Sequence, residues 1–183
     1  MGTLLCHAAS VRLRLIRTGY RIAWRLLWLV APLHRGRGRG VKAILIDDGR
    51  VLLVQHTYGP RRWELPGGAL HRRETPLDGV RREIREELGV DLADATLIAI
   101  GSAGRRHVKR PVSVFAAEIG AQAPVPDERE IARAQWFAPE ALPARLGWHV
   151  AQALEAWASE HAELPVQLSG ARRAAARRLG RLP

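Results

Sequence analysis

Cysteine is almost missing from this chain, with Cys6 alone among 183 residues. A single thiol excludes an internal disulfide and offers no cysteine metal site, so a reducing compartment is allowed. Lysine is nearly as scarce: Lys42 and Lys109 are the only two, and arginine carries almost all the positive charge. With many alanines, that bias suggests a GC-rich bacterial genome. Acidic residues are absent from two whole regions, 1–46 with nine basic residues and 164–183 with five arginines. All eighteen Asp and Glu fall in 47–163 beside fifteen basic residues, so the chain's +11 resides at its ends and the middle is −3. A nucleic-acid-binding core is expected to carry a basic face of its own. Nucleic acid is therefore not expected as the main partner. Long apolar runs are lacking in the first segment too. The charge-free stretch Leu26 to Leu33 falls far short of the roughly 20 residues that a membrane span requires, and arginines interrupt what would be the apolar region of a signal peptide.

What remains fits one domain with appendages: residues 1–40, 41–162 and 163–183. The first 36 residues read as one helix. Arg14, Arg17, Arg21 and Arg25 step by three and four along one stripe, away from Leu13, Ile16, Tyr20, Ala23, Leu27 and Val30, with Trp24 and Trp28 one turn apart. Such a basic amphipathic helix suits peripheral membrane contact through residues 11–31. Its apolar stripe could equally pack on the domain that follows or in a homodimer. A cytoplasmic location, with or without contact at the inner membrane surface, is the expectation. Arg35 to Gly40 alternates Arg and Gly and reads as a solvated linker, and the tail from Leu164 as an Arg/Ala-rich basic extension.

In the middle, Val41 to Ile46 and Val51 to Gln55 are apolar, β-rich runs separated by Asp47-Asp48-Gly49-Arg50, a hairpin signal. Further strands are expected at Thr96 to Ile100, Pro111 to Ile119 and Glu130 to Phe137, a helical turn at Pro139 to Leu142, and a helix from Trp148 to His161. Strands before and after an internal helix, with another helix at the end, suit a mixed sheet packed between helices.

The internal helix carries the chemistry. Thr75-Pro76 reads as N-cap and first helical position, and Gly89 as the stop. Leu77, Val80, Ile84 and Leu88 recur at spacings of three and four and form one apolar stripe. Glu83, Glu86 and Glu87 share a different face. Three carboxylates crowded there repel one another unless a cation sits among them, and a hard divalent ion such as Mg²⁺ takes oxygen ligands. The bland alternative is a solvated face neutralised by Arg81, Arg82 and Arg85. The preceding loop, Trp63-Glu64-Leu65-Pro66-Gly67-Gly68-Ala69-Leu70, weighs against it, because paired glycines bring backbone close to a ligand.

From Gly68 to Val90 the spacing is G-x5-E-x7-R-E-I-x-E-E-x-G-V, with Glu74, Arg82, Glu83, Ile84, Glu86, Glu87 and Gly89 at the specified places. This resembles the Nudix box at every defined position, and the resemblance covers about 41–162. It implies an α/β fold, the Nudix-type α/β/α sandwich with a mixed sheet, and Mg²⁺- or Mn²⁺-dependent hydrolysis of a diphosphate linkage in a small-molecule substrate. It also implies that Glu83, Glu86 and Glu87 bind metal and that one of them orients the attacking water. By the same resemblance the Gly67 carbonyl completes the metal shell, Arg82 holds the glutamates, and Glu74 braces the loop. A fourth acid often joins, with Glu118, Glu128 and Glu130 as contenders. Where ADP-ribose-preferring members carry a proline, this chain has Arg105; near the tyrosine of dinucleoside-polyphosphate enzymes it has Arg106 and His107. The cluster Arg105, Arg106, His107, Lys109 and Arg110 could grip phosphates or be a solvated turn. Arg61-Arg62-Trp63 could supply a phosphate contact and a stacking surface, or Trp63 a core residue. A catalytically silent nucleotide-binding regulator, or a membrane-surface enzyme acting on a lipid-linked diphosphate, are the competing functions.

Overall fold

A computed structural model describes residues 13, 15–20, 22–23, 38–103 and 110–160. Strands β1 (Gly40–Asp47) and β2 (Arg50–His56) form the expected hairpin, followed by helix α1 (Pro76–Leu88), strands β3 (Thr96–Ala103), β4 (Arg110–Glu118) and β5 (Ile131–Phe137), a 3-10 turn at Pro139–Ala141, and helix α2 (Trp148–Glu160). The strands make one five-stranded sheet ordered β3-β4-β1-β2-β5. Only the β1–β4 pair is parallel; the other three pairs are antiparallel. The hairpin closes through Asp48 and Gly49, both at positive φ of 48° and 67°, as a two-residue turn of the kind that matches strand twist.

Side-chain alternation divides the core between the two faces of this sheet. Val41, Ala43, Leu45, Leu52, Val54, Phe115 and Ala117 pack with Val80, Ile84 and Leu88 of α1. Ile44, Ile46, Val51, Leu53, Val114 and Ala116 point the other way, against Val150, Ala153, Leu154 and Trp157 of α2. The central strands are therefore covered on both sides, which explains their unbroken apolar runs. The result is the expected α/β/α sandwich.

Helix α1 has the boundaries that its sequence announces. Thr75 Oγ1 accepts from the Asp78 N–H at 3.2 Å, Pro76 opens the helix, and Gly89 closes it at φ 65° with its N–H donating to the Arg85 carbonyl at 2.9 Å. Such an N-cap contributes about 1 kcal/mol.

One departure from a regular sheet creates the site. Strands β1 and β2 pair only next to their turn, at Ile46–Val51 and Asp47–Arg50. Beyond that point the loop before α1 takes up their hydrogen bonds. The Val41 N–H donates to Gly68 O at 2.9 Å and the Ala43 N–H to Pro66 O at 3.0 Å, while Val54 and Glu64 exchange a reciprocal pair at 2.9 Å. The glycine loop thus sits wedged between two splayed central strands. At φ 118°, Gly67 is in a region that side-chain-bearing residues avoid, and a Cβ there would lie 2.5 Å from Val41 O.

Residues 13, 15–20, 22 and 23 are helical. Leu15, Ile16 and Ile22 are exposed there, whereas Arg17 and Tyr20 contact the domain. Arg17 Nε donates to the Glu128 carbonyl at 2.8 Å, and Tyr20 stacks on Tyr58 with ring centroids 6.2 Å apart. Spacing had put Arg17 on a basic stripe apart from the apolar residues; the fold turns it onto the domain instead. Trp24, Leu27, Trp28, Val30, Arg14, Arg21, Arg25 and the tail from 161 onward lie outside the described residues. Among the described residues no helix is long and apolar enough to cross a membrane.

Candidate active site

The glycine loop and the outer side of α1 enclose a cavity of about 530 Å³, bordered by Lys42, His56, Tyr58, Arg62, Glu64, Gly67, Gly68, Glu83, Glu87 and Glu130. Glu83, Glu86 and Glu87 share one helix but lie at three different depths. Glu87 is buried, Glu83 is mostly covered, and Glu86 is exposed. The Glu87 carboxylate accepts the Gly67 N–H at 2.8 Å. Burial pushes its pKa up to about 7, against the opposing pull of the Lys42 ammonium and the Gly67 hydrogen bond. Burial raises the pKa of Glu83 as well, opposed by its bond to Arg82. Gly68 lies so close to Glu83 that a Cβ would stand 2.5 Å from its Oε2. The second glycine of the pair is what lets the carboxylate approach the loop.

Arg82 organises the rest. Its guanidinium grips Glu74 in a two-pronged pair at 2.8 and 2.9 Å, and donates to Glu83 at 2.9 Å, Glu86 at 3.1 Å and the Ala69 carbonyl at 3.0 Å. The Arg82 hydrogen bonds and the His71 N–H hold the Glu74 carboxyl down at about 2. Arg82 is raised above its ordinary range by the same contacts. Glu74 therefore ties loop to helix through Arg82. The neutralised-face alternative fits poorly, because Arg81 bonds to the Leu92 and Ala93 carbonyls and Arg85 to Asp91. Of the three arginines, only Arg82 serves the glutamates.

Several participants were not legible in the sequence. Lys42 donates to the Leu65 carbonyl at 2.9 Å and to Gly67 O at 2.6 Å, so the carbonyl expected to meet a metal already has a cationic partner. The signal was available: Lys42 is a lone lysine inside a strand whose neighbours Val41, Ala43, Ile44 and Leu45 are fully buried, and such a charge needs paired or polar company. His56 borders the cavity, and its Nδ1 is buried with no hydrogen-bond partner. Burial and nearby Lys42 hold its pKa down to about 3, so it is a neutral imidazole. Tyr58 stacks on it, with centroids 5.0 Å apart.

Of the three contending acids, Glu130 borders the cavity and lies close enough to Tyr20 to raise the pKa of that phenol. Glu128 turns to Arg17, and Glu118 is exposed opposite Ile46 at the end of β4. Trp63 resolves as a core residue, 8% exposed and edge-on to Phe137 at 4.9 Å. It packs on the α2 side of the sheet and does not offer the stacking surface that was one reading of it. Arg105, Arg106, His107 and Lys109 lie outside the described residues.

The donor set suits a hard cation: carboxylates at i, i+3 and i+4, one of them driven toward neutrality by burial. Among the described residues, however, no three acidic, histidine or cysteine side chains converge tightly enough to hold an ion. Arg82 draws Glu83 and Glu86 toward itself, whereas Glu87 faces Gly67. A cation would have to win those carboxylates from the guanidinium, a rearrangement of side chains rather than of backbone.

The model of the NUDIX domain matches residues 36–157. Over 63 residues the chain is 41% identical to an RNA pyrophosphohydrolase of Halorhodospira halophila, covering 34% of this chain and 33% of that protein. Over 59 residues it is 44% identical to a MutT-like protein of Streptomyces ambofaciens, covering 32% and 36%. The chain thus spans about a third of the length of the curated relatives it matches. Among solved structures, a MutT NUDIX hydrolase from Burkholderia pseudomallei aligns with a TM-score of 0.60 at 31% identity, over 64% of this chain and 95% of that one. Fold, box geometry and family match agree, and this chain belongs to the Nudix family.

Proposed function

We propose that this chain hydrolyses a diphosphate linkage in a nucleoside diphosphate derivative, with Mg²⁺ or Mn²⁺ bound by Glu83, Glu86 and Glu87 and the Gly67 carbonyl. The observation that carries this reading is the buried Glu87 carboxylate. It sits beneath the Gly67–Gly68 loop at an open cavity, where burial lifts its pKa to about 7 and a bound cation would favour its charged form. A bound divalent ion offsets phosphate charge and lowers the pKa of coordinated water, so hydroxide is available near neutral pH. The chain's own residues have separate tasks. Arg82 and Glu74 keep the loop against α1, with Glu83 bordering the cavity and Glu86 exposed on the far side of the guanidinium. The Gly67 N–H holds Glu87 in place. Lys42 supplies a positive charge beside the loop, where a diphosphate would lie. Glu130 is the acid outside the box best placed to join the site or to orient water.

The names borne by relatives, an RNA pyrophosphohydrolase and MutT-like proteins, support a phosphoanhydride as the bond cleaved. The intact glutamate set favours an enzyme over a silent regulator. The test is a product-release screen across nucleotide sugars, dinucleoside polyphosphates, nucleoside triphosphates and prenyl diphosphates, with each metal and with chelator. Metal-dependent cleavage of a nucleotide that is abolished by Glu86→Gln supports the proposal. Tight nucleotide binding without turnover of any substrate would favour the regulator, and preference for prenyl diphosphates would favour the lipid-linked reading.

A further inference from the structure

A second cavity, about 330 Å³, adjoins the first, and the His56 ring borders both. Four arginines line it: Arg61 from the loop after β2, Arg133 from β5, Arg145 from the loop before α2, and Arg17 from the N-terminal helical segment. None of its lining residues is acidic. Arg17 has a partner in Glu128, at 3.9 Å between the charged groups. Arg61, Arg133 and Arg145 make no ion pair with any described carboxylate.

The scaffold beneath these arginines is held by backbone. Arg133 lies opposite Gln55 in the β2–β5 ladder. The Arg145 carbonyl accepts the Trp63 N–H at 2.8 Å and the Trp63 carbonyl accepts the Gly147 N–H at 2.7 Å, which ties the Arg61 and Arg145 loops together. Four arginines around one cavity with no acidic lining residue leave a positive potential there that an anion would relieve. Their planar forks match phosphate oxygens in pairs.

We propose that this pocket binds a phosphate group of the substrate lying outside the diphosphate that is cleaved, so that preferred substrates carry an additional phosphate. This rests on the reading of the neighbouring cavity as the hydrolytic site. The shared chemistry is an anionic phosphoryl group with free non-bridging oxygens. It could come from a longer polyphosphate chain or from the phosphodiester that links a second nucleotide.

The test uses the full chain in chelator, so that binding is read without turnover. Calorimetric titration with inorganic tripolyphosphate compares the wild type with Arg133→Gln/Arg145→Gln, and with Arg72→Gln/Arg73→Gln as an equal charge change at exposed positions away from the pocket. The pocket variant is expected to bind at least tenfold more weakly and the control within twofold of wild type. Thermal melting checks that both variants fold. A 5′-triphosphorylated dinucleotide and a nucleoside triphosphate then distinguish the two sources. With Mg²⁺ in place of chelator, the pocket variant should lower kcat/KM at least tenfold more for whichever of them reaches the arginines than for a nucleotide sugar. Equal losses in the two variants, or no loss in either, would overturn the pocket. If tripolyphosphate binding depends on Arg133 and Arg145 but no diphosphate is cleaved, the pocket stands and the hydrolytic reading fails. If diphosphates are cleaved and binding ignores these arginines, the reverse holds.

Discussion

Replacing Glu87 by Gln should stabilise the metal-free protein at alkaline pH, against the usual expectation for a buried hydrogen-bonded side chain. The carboxyl is 4% exposed, and burial lifts its pKa from 4.5 to about 7. A shift of roughly 2.5 units corresponds to about 3 kcal/mol of folding free energy, at about 1.4 kcal/mol per unit. A folded pKa above the unfolded value gives stability that is complete below pH 4.5 and is lost as pH rises through 7. Gln keeps an oxygen for the Gly67 N–H but brings an amide NH₂ that must be buried, a cost of about 1–3 kcal/mol. The net gain at pH 8 is therefore about 1 kcal/mol, or a few degrees in Tm for a chain of this size. His56 and His149 have pKa values lowered to about 3 by burial. Their stabilisation is present above pH 6.5 and is lost on acidification, so the wild-type profile alone mixes opposite trends. The difference between variant and wild type cancels the histidines and isolates Glu87. Melting curves from pH 4 to 9 in chelator should show that difference growing between about pH 4.5 and 7 and levelling above. Adding Mn²⁺ or Mg²⁺ at pH 8 should raise the wild-type Tm and close or invert the gap. Parallel profiles, or a variant less stable than wild type by more than 1 kcal/mol at pH 8 in chelator, would refute the claim that this carboxylate is short of a cation.

Glu86→Gln removes an exposed charge bonded only to Arg82; turnover should fall by two or more orders of magnitude, the scale of a major electrostatic contribution, with Tm within a few degrees of wild type. Full activity in this variant would remove Glu86 from the metal set. Gly68→Ala forces a Cβ to within 2.5 Å of the Glu83 carboxylate, so activity should fall further than stability, read as kcat against Tm. A variant as active as wild type would show that Glu83 can move freely. Deleting residues 1–36 removes Tyr20 from Tyr58 and Arg17 from Glu128. If packing on the domain is the segment's role, KM for the soluble substrate should rise several-fold. If its role is membrane contact, hydrolysis should hold while binding to anionic vesicles, measured by co-sedimentation at low and high salt, is lost.

Local features were legible because neighbours along the chain determine them. The Asp48-Gly49 turn, the Thr75 cap, the Gly89 stop and the stripe Val80, Ile84, Leu88 each depend on residues within a few positions, and spacing alone places them. Apolar alternation and runs likewise indicate a sheet covered on both faces. The glutamate spacing puts three carboxylates on one helix, and nothing in that spacing says which is buried. Depth was decided by the loop across from them. Gly67 is pinned between β1 and β2, and its N–H captures Glu87, while Arg82 bonds Glu83, which stays mostly covered, and Glu86, which is exposed. The parallel pairing of β1 with β4 also joins segments about 70 residues apart, and no local propensity records such a choice. Lys42, His56 and Glu130 reach one cavity, and Arg17, Arg61, Arg133 and Arg145 another, because the strands and loops that carry them meet only when the sheet closes. By itself the sequence determined the elements, the box and the kind of chemistry. Which side chains share a cavity, and which charges there lack partners, was decided by the tertiary structure, because burial and pairing are properties of contacts between distant segments.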